Sequence, residues 1–284
     1  MKLQIIETGK FKLDGGAMFG VVPKKLWQKI NEPDENNMCT WAMRCLLIEE
    51  GERKILIDTG LGNKQDAKFR SHFHPHGEDS LDKSLTNVGF AAEDITDVFL
   101  THMHFDHVGG AVKKDEAGNL VPTFPNATYW SNELHLDWAL NPNPRERASF
   151  LKENIVPLQD HNVLKFIDVE QGVKFTDSIS VDFVYGHTEA MMVPYIDMGN
   201  GKTLVYTADL LPSHGHIGMP YVMGYDVRPL KTLEEKATLF EKTVNDDHFI
   251  FFEHDKDMAC ASLVKNDRGR VVLGSAQNLE SIQP

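Results

Sequence analysis

Thr101-His102-Met103-His104-Phe105-Asp106-His107-Val108-Gly109-Gly110 directly follows the apolar run Val98-Phe99-Leu100. Three imidazoles and a carboxylate therefore stand within six residues where a strand leaves its sheet, a density that neither packing nor a solvated surface calls for. In extended backbone His102 and His104 point the same way, whereas Asp106 and His107 lie past the strand end, where the chain turns. The glycines after them let the backbone bend closely behind the cluster. Nitrogen and carboxylate donors without a thiolate suit zinc or another first-row divalent ion, and a donor set that leaves positions open suits a catalytic site.

Two ions need more donors than this segment carries. Working outward, three further candidates each end an apolar run: His187 in Gly186-His187-Thr188 after Ile179 to Val184, Asp209 in Ala208-Asp209 after Thr203 to Thr207, and His254 in Glu253-His254-Asp255 after the run from Phe249. Singly, each is as readily a buried or surface polar residue; the repeated placement at strand ends favours ligands.

The rest of the chain reads as strands and helices in alternation. Leu3 to Ile6 is a strand closed by a polar turn at Gly9-Lys10, Met43 to Glu49 and Lys54 to Asp58 form a hairpin through Gly51, and Asp97 to Thr101 enters the His-rich segment. Ala127 to Trp130 and Tyr195 to Met198 add strands, and a hairpin of Ser262 to Lys265 and Arg270 to Leu273 turns at Asn266-Asp267-Arg268-Gly269. Helices are expected over Asn132 to Leu140, Pro144 to Asn154 and Leu233 to Val244. For the last, Thr232 and Glu235 have capping-box spacing, and Leu233, Ala237, Phe240 and Val244 recur at helical spacing as a packing stripe.

At 284 residues, with 41% hydrophobic and 25% charged residues, the chain suits one soluble domain spanning 1–284. No linker, repeat or run of transmembrane length divides it, and no signal peptide is legible in Met1 to Glu7. Cys39, Cys45 and Cys260 are odd in number and lack a Cys-x-x-Cys pair, which points to buried thiols in a reducing, cytoplasmic setting. A formal charge of -13, from 29 Lys plus Arg against 42 Asp plus Glu, argues against nucleic acid as a partner. No membrane partner is expected.

The ordered set His-x-His-x-Asp-His, Gly-His-Thr, Ala-Asp and a final His resembles the hydrolases of the metallo-β-lactamase fold over nearly the whole chain. That resemblance implies an α+β, αβ/βα four-layer sandwich, in which two facing mixed β-sheets carry helices outside. It also implies two divalent ions, Zn2+ first among candidates: one on His102, His104 and His187, the other on Asp106, His107 and His254, with Asp209 bridging. The ions would share and acidify a water that attacks a carbonyl, and Asp106 would carry its proton to the leaving alkoxide. Asp58, in Leu56-Ile57-Asp58-Thr59-Gly60, resembles the family carboxylate that orients a metal-bound His, although an Asp before Gly also suits a plain turn.

Asp14 to Trp27 and Met219 to Asp226 look like a narrower branch, the N-acyl-homoserine lactonases that degrade quorum signals. The implied substrate is a small lactone or ester, and by resemblance alone a homodimer is expected. Met18, Phe19, Val21, His214, His216 and Tyr221 are candidate pocket residues, with ordinary packing the competing reading. Two departures stand out. Glu189-Ala190-Met191 after Thr188 differs from glyoxalase II, and Pro212 occupies the position where homoserine lactonases carry a Tyr three residues after the bridging Asp. An organophosphate or aryl-ester hydrolase is the near alternative. A redox di-iron protein is more remote, since those carry Glu where His104 stands. His72, His74 and His76 lie around Pro75 in a charged stretch that reads as a solvated loop.

Overall fold

Short strands alternate with longer ones, and the computed structural model, described over residues 1–244 and 247–283, gathers them into two principal sheets. The first has six strands in the order Lys2–Asp14, Met38–Glu50, Arg53–Ile57, Asp97–Phe99, Thr128–Ser131 and Leu164–Phe166. The second has seven, in the order Val271–Gln277, Cys260–Lys265, His248–Phe251, Thr203–Tyr206, Met191–Asp197, Ile179–Val184 and Val173–Lys174. Each sheet mixes parallel and antiparallel pairs. Two compact units result, Met1–Gly9 with Met43–Val169 and Lys10–Ala42 with Glu170–Pro284, so the division falls inside the first two strands.

In the first unit, Glu50 pairs with Arg53 across a tight hairpin in which Gly51 takes φ 58°. The next strands run parallel, with Ile57 opposite Phe99 and Phe99 opposite Trp130. Parallel register brings their C-terminal ends to one edge, and Asp58, Thr101 and the residues after Ser131 emerge there. Ile55, Leu56, Ile57, Val98 and Phe99 are buried, as strands covered on both faces require. Leu56, Val98, Leu100, Met103, Tyr129, Ile155 and Leu158 share one apolar core.

The second unit repeats this device. Thr203–Tyr206 lies parallel to His248–Phe251, with Tyr206 opposite Phe251, so Asp209 and His254 follow neighbouring strand ends. The antiparallel pair Ile179–Val184 and Met191–Asp197 joins Val184 to Met191 through a loop at that same end, and this loop carries His187.

Several local expectations are corrected. The first strand runs through Gly9-Lys10 to Asp14: Gly9 is buried at φ 104°, and Phe11 continues the inward set of Leu3 and Ile6. The strand expected from Tyr195 begins at Met191, where burial is nearly continuous. In place of a helix from Pro144, the Asn143 side chain accepts from the Arg145 and Glu146 amides, and Glu146 turns inward to take Trp138 Nε1–H at 2.8 Å. The helix runs instead over Lys152–Asp160. The helix expected from Leu233 spans Pro229–Thr243, with Pro in its first turn, and buries Thr232, Glu235, Lys236, Leu239, Phe240 and Thr243 while Ala237 is exposed. Thr232 and Glu235 do not form a capping box; their side chains bond across to other segments, as described below. The three cysteines are free and buried, and among the described residues no helix is long and apolar enough to cross a membrane.

Candidate metal-ligating residues

Four candidates belong to the first unit. His102 and His104 follow the strand end, His104 in extended backbone, and Asp106 and His107 sit on the single helical turn Phe105–Val108; all four are buried. His102 Nε2 lies 3.1 Å from His104 Nδ1, and Asp106 Oδ2 lies 3.9 Å from His107 Nε2. Two nitrogens on one tetrahedral zinc, each 2.0–2.1 Å from it, stand about 3.3 Å apart, so the first pair already has ligand spacing.

Asp58 organises this cluster. Its Oδ1 accepts from the Thr101 amide at 2.8 Å, and its Oδ2 accepts from Thr101 Oγ1 at 2.6 Å and from His107 Nδ1–H at 3.0 Å. Asp58 takes φ 57°, a left-handed conformation that an Asp tolerates better than most side chains but that still carries strain. Gly109 and Gly110 press on the same loop from behind, because a Cβ on either would stand 2.1 Å from Leu61 O or 2.2 Å from Thr59 O.

Three candidates belong to the second unit. His187 Nε2 lies 3.0 Å from Asp209 Oδ2 and His254 Nε2 lies 3.2 Å from Asp209 Oδ1, so one carboxylate faces two imidazoles. The far nitrogens are anchored: His187 Nδ1–H donates to Asp226 Oδ1 at 2.9 Å and His254 Nδ1–H to the Ala42 carbonyl at 2.8 Å. Burial alone lowers the His187 pKa, but Asp209 and Asp226 outweigh it and push it up to about 10. The site thus favours positive charge at His187 Nε2, whether a proton or a metal cation.

These donors pass a test of fit. His107, His187 and His254 each commit Nδ1–H to an acceptor and turn Nε2 toward a carboxylate of the same candidate set, the tautomer and orientation that a metal-binding His needs.

The candidate pocket residues lie in the second unit. Phe19 stacks on the His216 ring at 4.9 Å between centroids, His216 Nε2–H donates to Met18 O, and all three residues are buried. Burial holds the His216 pKa down to about 4. Packing accounts for Met18, Phe19 and His216, while Val21 is 92% exposed. Tyr221 is half-buried, edge-on to Phe19, and His214 is half-buried and bound to Asp255, which raises its pKa. His72, His74 and His76 are exposed, and among the described residues they form no group of converging ligand atoms.

Some partners are not legible in the sequence. His135 Nε2 accepts from the Met103 amide at 2.8 Å, and Glu146 Oε1 lies 3.5 Å from His104 Nε2. Asp226 orients His187, and its Oδ2 accepts from Thr232 Oγ1 at 2.9 Å. Its only sequence signal is its place at the end of the Met219 to Asp226 motif.

Comparison with known proteins supplies the family. The chain is 24% identical to N-acyl homoserine lactonase AiiA of Bacillus thuringiensis subsp. kurstaki, over 89% of this chain and 93% of that protein. Its fold matches the crystal structure of a probable metal-dependent hydrolase from Staphylococcus aureus, with TM-score 0.85 and 27% identity over 98% of both chains. It also matches AidC, a dizinc quorum-quenching lactonase, with TM-score 0.78 and 23% identity over 97% of this chain and 95% of that one. The family model for the metallo-beta-lactamase superfamily matches residues 44–254. With most of its length under that model, and with the mixed-sheet α+β architecture expected of it, the chain belongs to the metallo-beta-lactamase superfamily.

Proposed function

We propose that this metallo-hydrolase opens lactone or ester bonds, with N-acyl-homoserine lactones the leading substrates, as one catalytic domain over residues 1–284. His102, His104 and His187 would hold one divalent ion and Asp106, His107 and His254 a second, with Asp209 shared and zinc the expected metal. The carrying observation is the anchoring of His107, His187 and His254 through Nδ1, which leaves each Nε2 turned toward a candidate carboxylate. The lactonase names of the curated relatives favour the substrate class.

When bound, such ions polarise a carbonyl oxygen and lower the pKa of water toward neutrality. The chain's own residues do the rest. Asp58 and Asp226 fix the imidazole rings, Asp209 turns one oxygen toward His187 and the other toward His254, and Asp106 accepts a proton and returns it to the leaving alkoxide. Pro212 offers no hydroxyl near these groups, and its carbonyl is taken by the His254 amide at 3.0 Å. That favours, as second reading, an organophosphate or aryl-ester hydrolase, which has no call on a lactonase tyrosine. Three buried free thiols and the acidic composition suit a cytoplasmic enzyme of small molecules, and a homodimer is proposed on family grounds alone.

Acid release from homoserine lactones of several acyl lengths, aryl esters and a phosphotriester, followed in a pH-stat, tests the substrate. Lactone turnover supports the first reading, aryl-ester or phosphotriester turnover alone supports the second, and inactivity of the zinc-loaded protein on all three overturns both.

A further inference from the structure

The helix Pro229–Thr243 turns two buried charges, adjacent in sequence, toward loops rather than toward the helix itself. Glu235 accepts from the Tyr185 amide at 2.7 Å and the Gly186 amide at 3.0 Å. Lys236, with no exposure, donates to the carbonyls of His216 at 2.7 Å, Gly218 at 2.9 Å and Tyr221 at 3.0 Å. A buried charge is unfavourable unless such bonds offset its lost hydration, and an apolar side chain would fill either position without that loss.

Both loops lead to His187. The first ends on it. The second runs on through Met223, whose carbonyl takes the Asp226 amide at 3.2 Å, to the carboxylate that holds His187 Nδ1. The intervening segment closes the cradle: Val227 N–H donates to His187 O, Arg228 N–H to Gly186 O, and Arg228 Nη1 to Tyr185 O at 2.7 Å. Gly186 packs directly on the helix and admits no side chain, since a Cβ there would stand 2.3 Å from Thr232 Oγ1 and 2.5 Å from the Thr232 amide nitrogen.

We infer that Glu235 and Lys236 are positioning residues for His187: the carboxylate sets the height of the Tyr185-Gly186 backbone, and the ammonium sets the loop that delivers Asp226. The inference rests on the reading of His187 as a metal ligand, and it makes the His187 ion, but not the other, depend on two side chains that touch no ligand atom.

The test titrates the metal-free wild type, Glu235→Gln, Lys236→Met and the control Lys242→Met with Co2+ against a competing chelator, reading the visible absorption of each bound equivalent. Lys242 lies on the same helix but pairs with Asp182 at the surface. The expected result is two equivalents in the wild type and the control, with one equivalent weakened at least about 10-fold and its band displaced in Glu235→Gln and Lys236→Met, the other staying within about 2-fold. Thermal denaturation of the metal-free proteins identifies a variant that has not folded; should Lys236→Met fail, the nearly isosteric Glu235→Gln decides. Two unaltered equivalents, or two weakened equally, overturn this inference alone. A wild type that binds no Co2+ overturns the metal-centre reading and the inference with it.

Discussion

The two units hold their candidate ligands by different means. In the first, four ligands come from one continuous segment, and a single carboxylate, Asp58, fixes both the strand end at Thr101 and the ring of His107. In the second, three ligands come from three separate strand ends, and each ring has its own anchor, Asp226 for His187 and a backbone carbonyl for His254. A continuous segment needs one orienting group because the backbone carries the others; a dispersed set needs one for each member. Damage should therefore spread across the first set and stay local in the second.

The largest effect is expected at Asp209, the residue whose two oxygens face two imidazoles. Asp209→Ala should lower kcat/KM by more than about 100-fold, beyond the usual cost of losing an orienting partner, and should reduce metal content measured on the same sample.

Acid should separate the two units next. Burial holds the His216 pKa at about 4 against an ordinary 6.5, so as pH falls the unfolded chain takes up the proton first. Stability from this group is complete above about pH 6.5 and lost as pH falls toward 4, about 3 kcal/mol in all. Hydrogen exchange at pH 5 should show protection falling earlier in 10–42 and 170–284 than in 43–169, and His216→Asn should flatten the difference.

Asp226→Asn and Asp58→Asn each should weaken metal binding by about 10–100-fold. Asn keeps the left-handed backbone at position 58, which makes it the fair probe there. Competition titration should show one equivalent affected by Asp226→Asn, whereas Asp58→Asn should also lower the melting temperature, because it loosens the Thr101 strand end. An identical profile from the two would break the comparison.

The smallest effect separates Thr232→Val from Thr101→Val. The first removes a hydroxyl donor to Asp226 Oδ2 and should weaken one equivalent a few-fold, as the loss of about one hydrogen bond to a charged group allows. The second leaves the Thr101 amide on Asp58 and should cost less.

Legibility in the sequence follows the same divide. The His102 to His107 run is readable because its donors are close in sequence and follow the buried apolar run Val98-Phe99-Leu100. His187, Asp209 and His254 are readable only as polar residues at strand ends in family order. Asp226 and Glu235 escape that reading because their partners lie 39 and about 50 residues away, and Glu235 satisfies a local capping pattern that its side chain does not use. The Pro144 helix fails for a related reason: local propensity does not register that Glu146 is drawn inward by Trp138 and Asn143. Likewise, Phe19 and His216 have pocket-like chemistry, but their stacking partners are set by the fold.

The metal content of the purified chain, by elemental analysis, decides whether these donors form a metal centre. A two-metal hydrolytic site requires about two divalent ions per chain, zinc foremost; a chain that retains no stoichiometric metal, even after incubation with zinc, would rule such a site out.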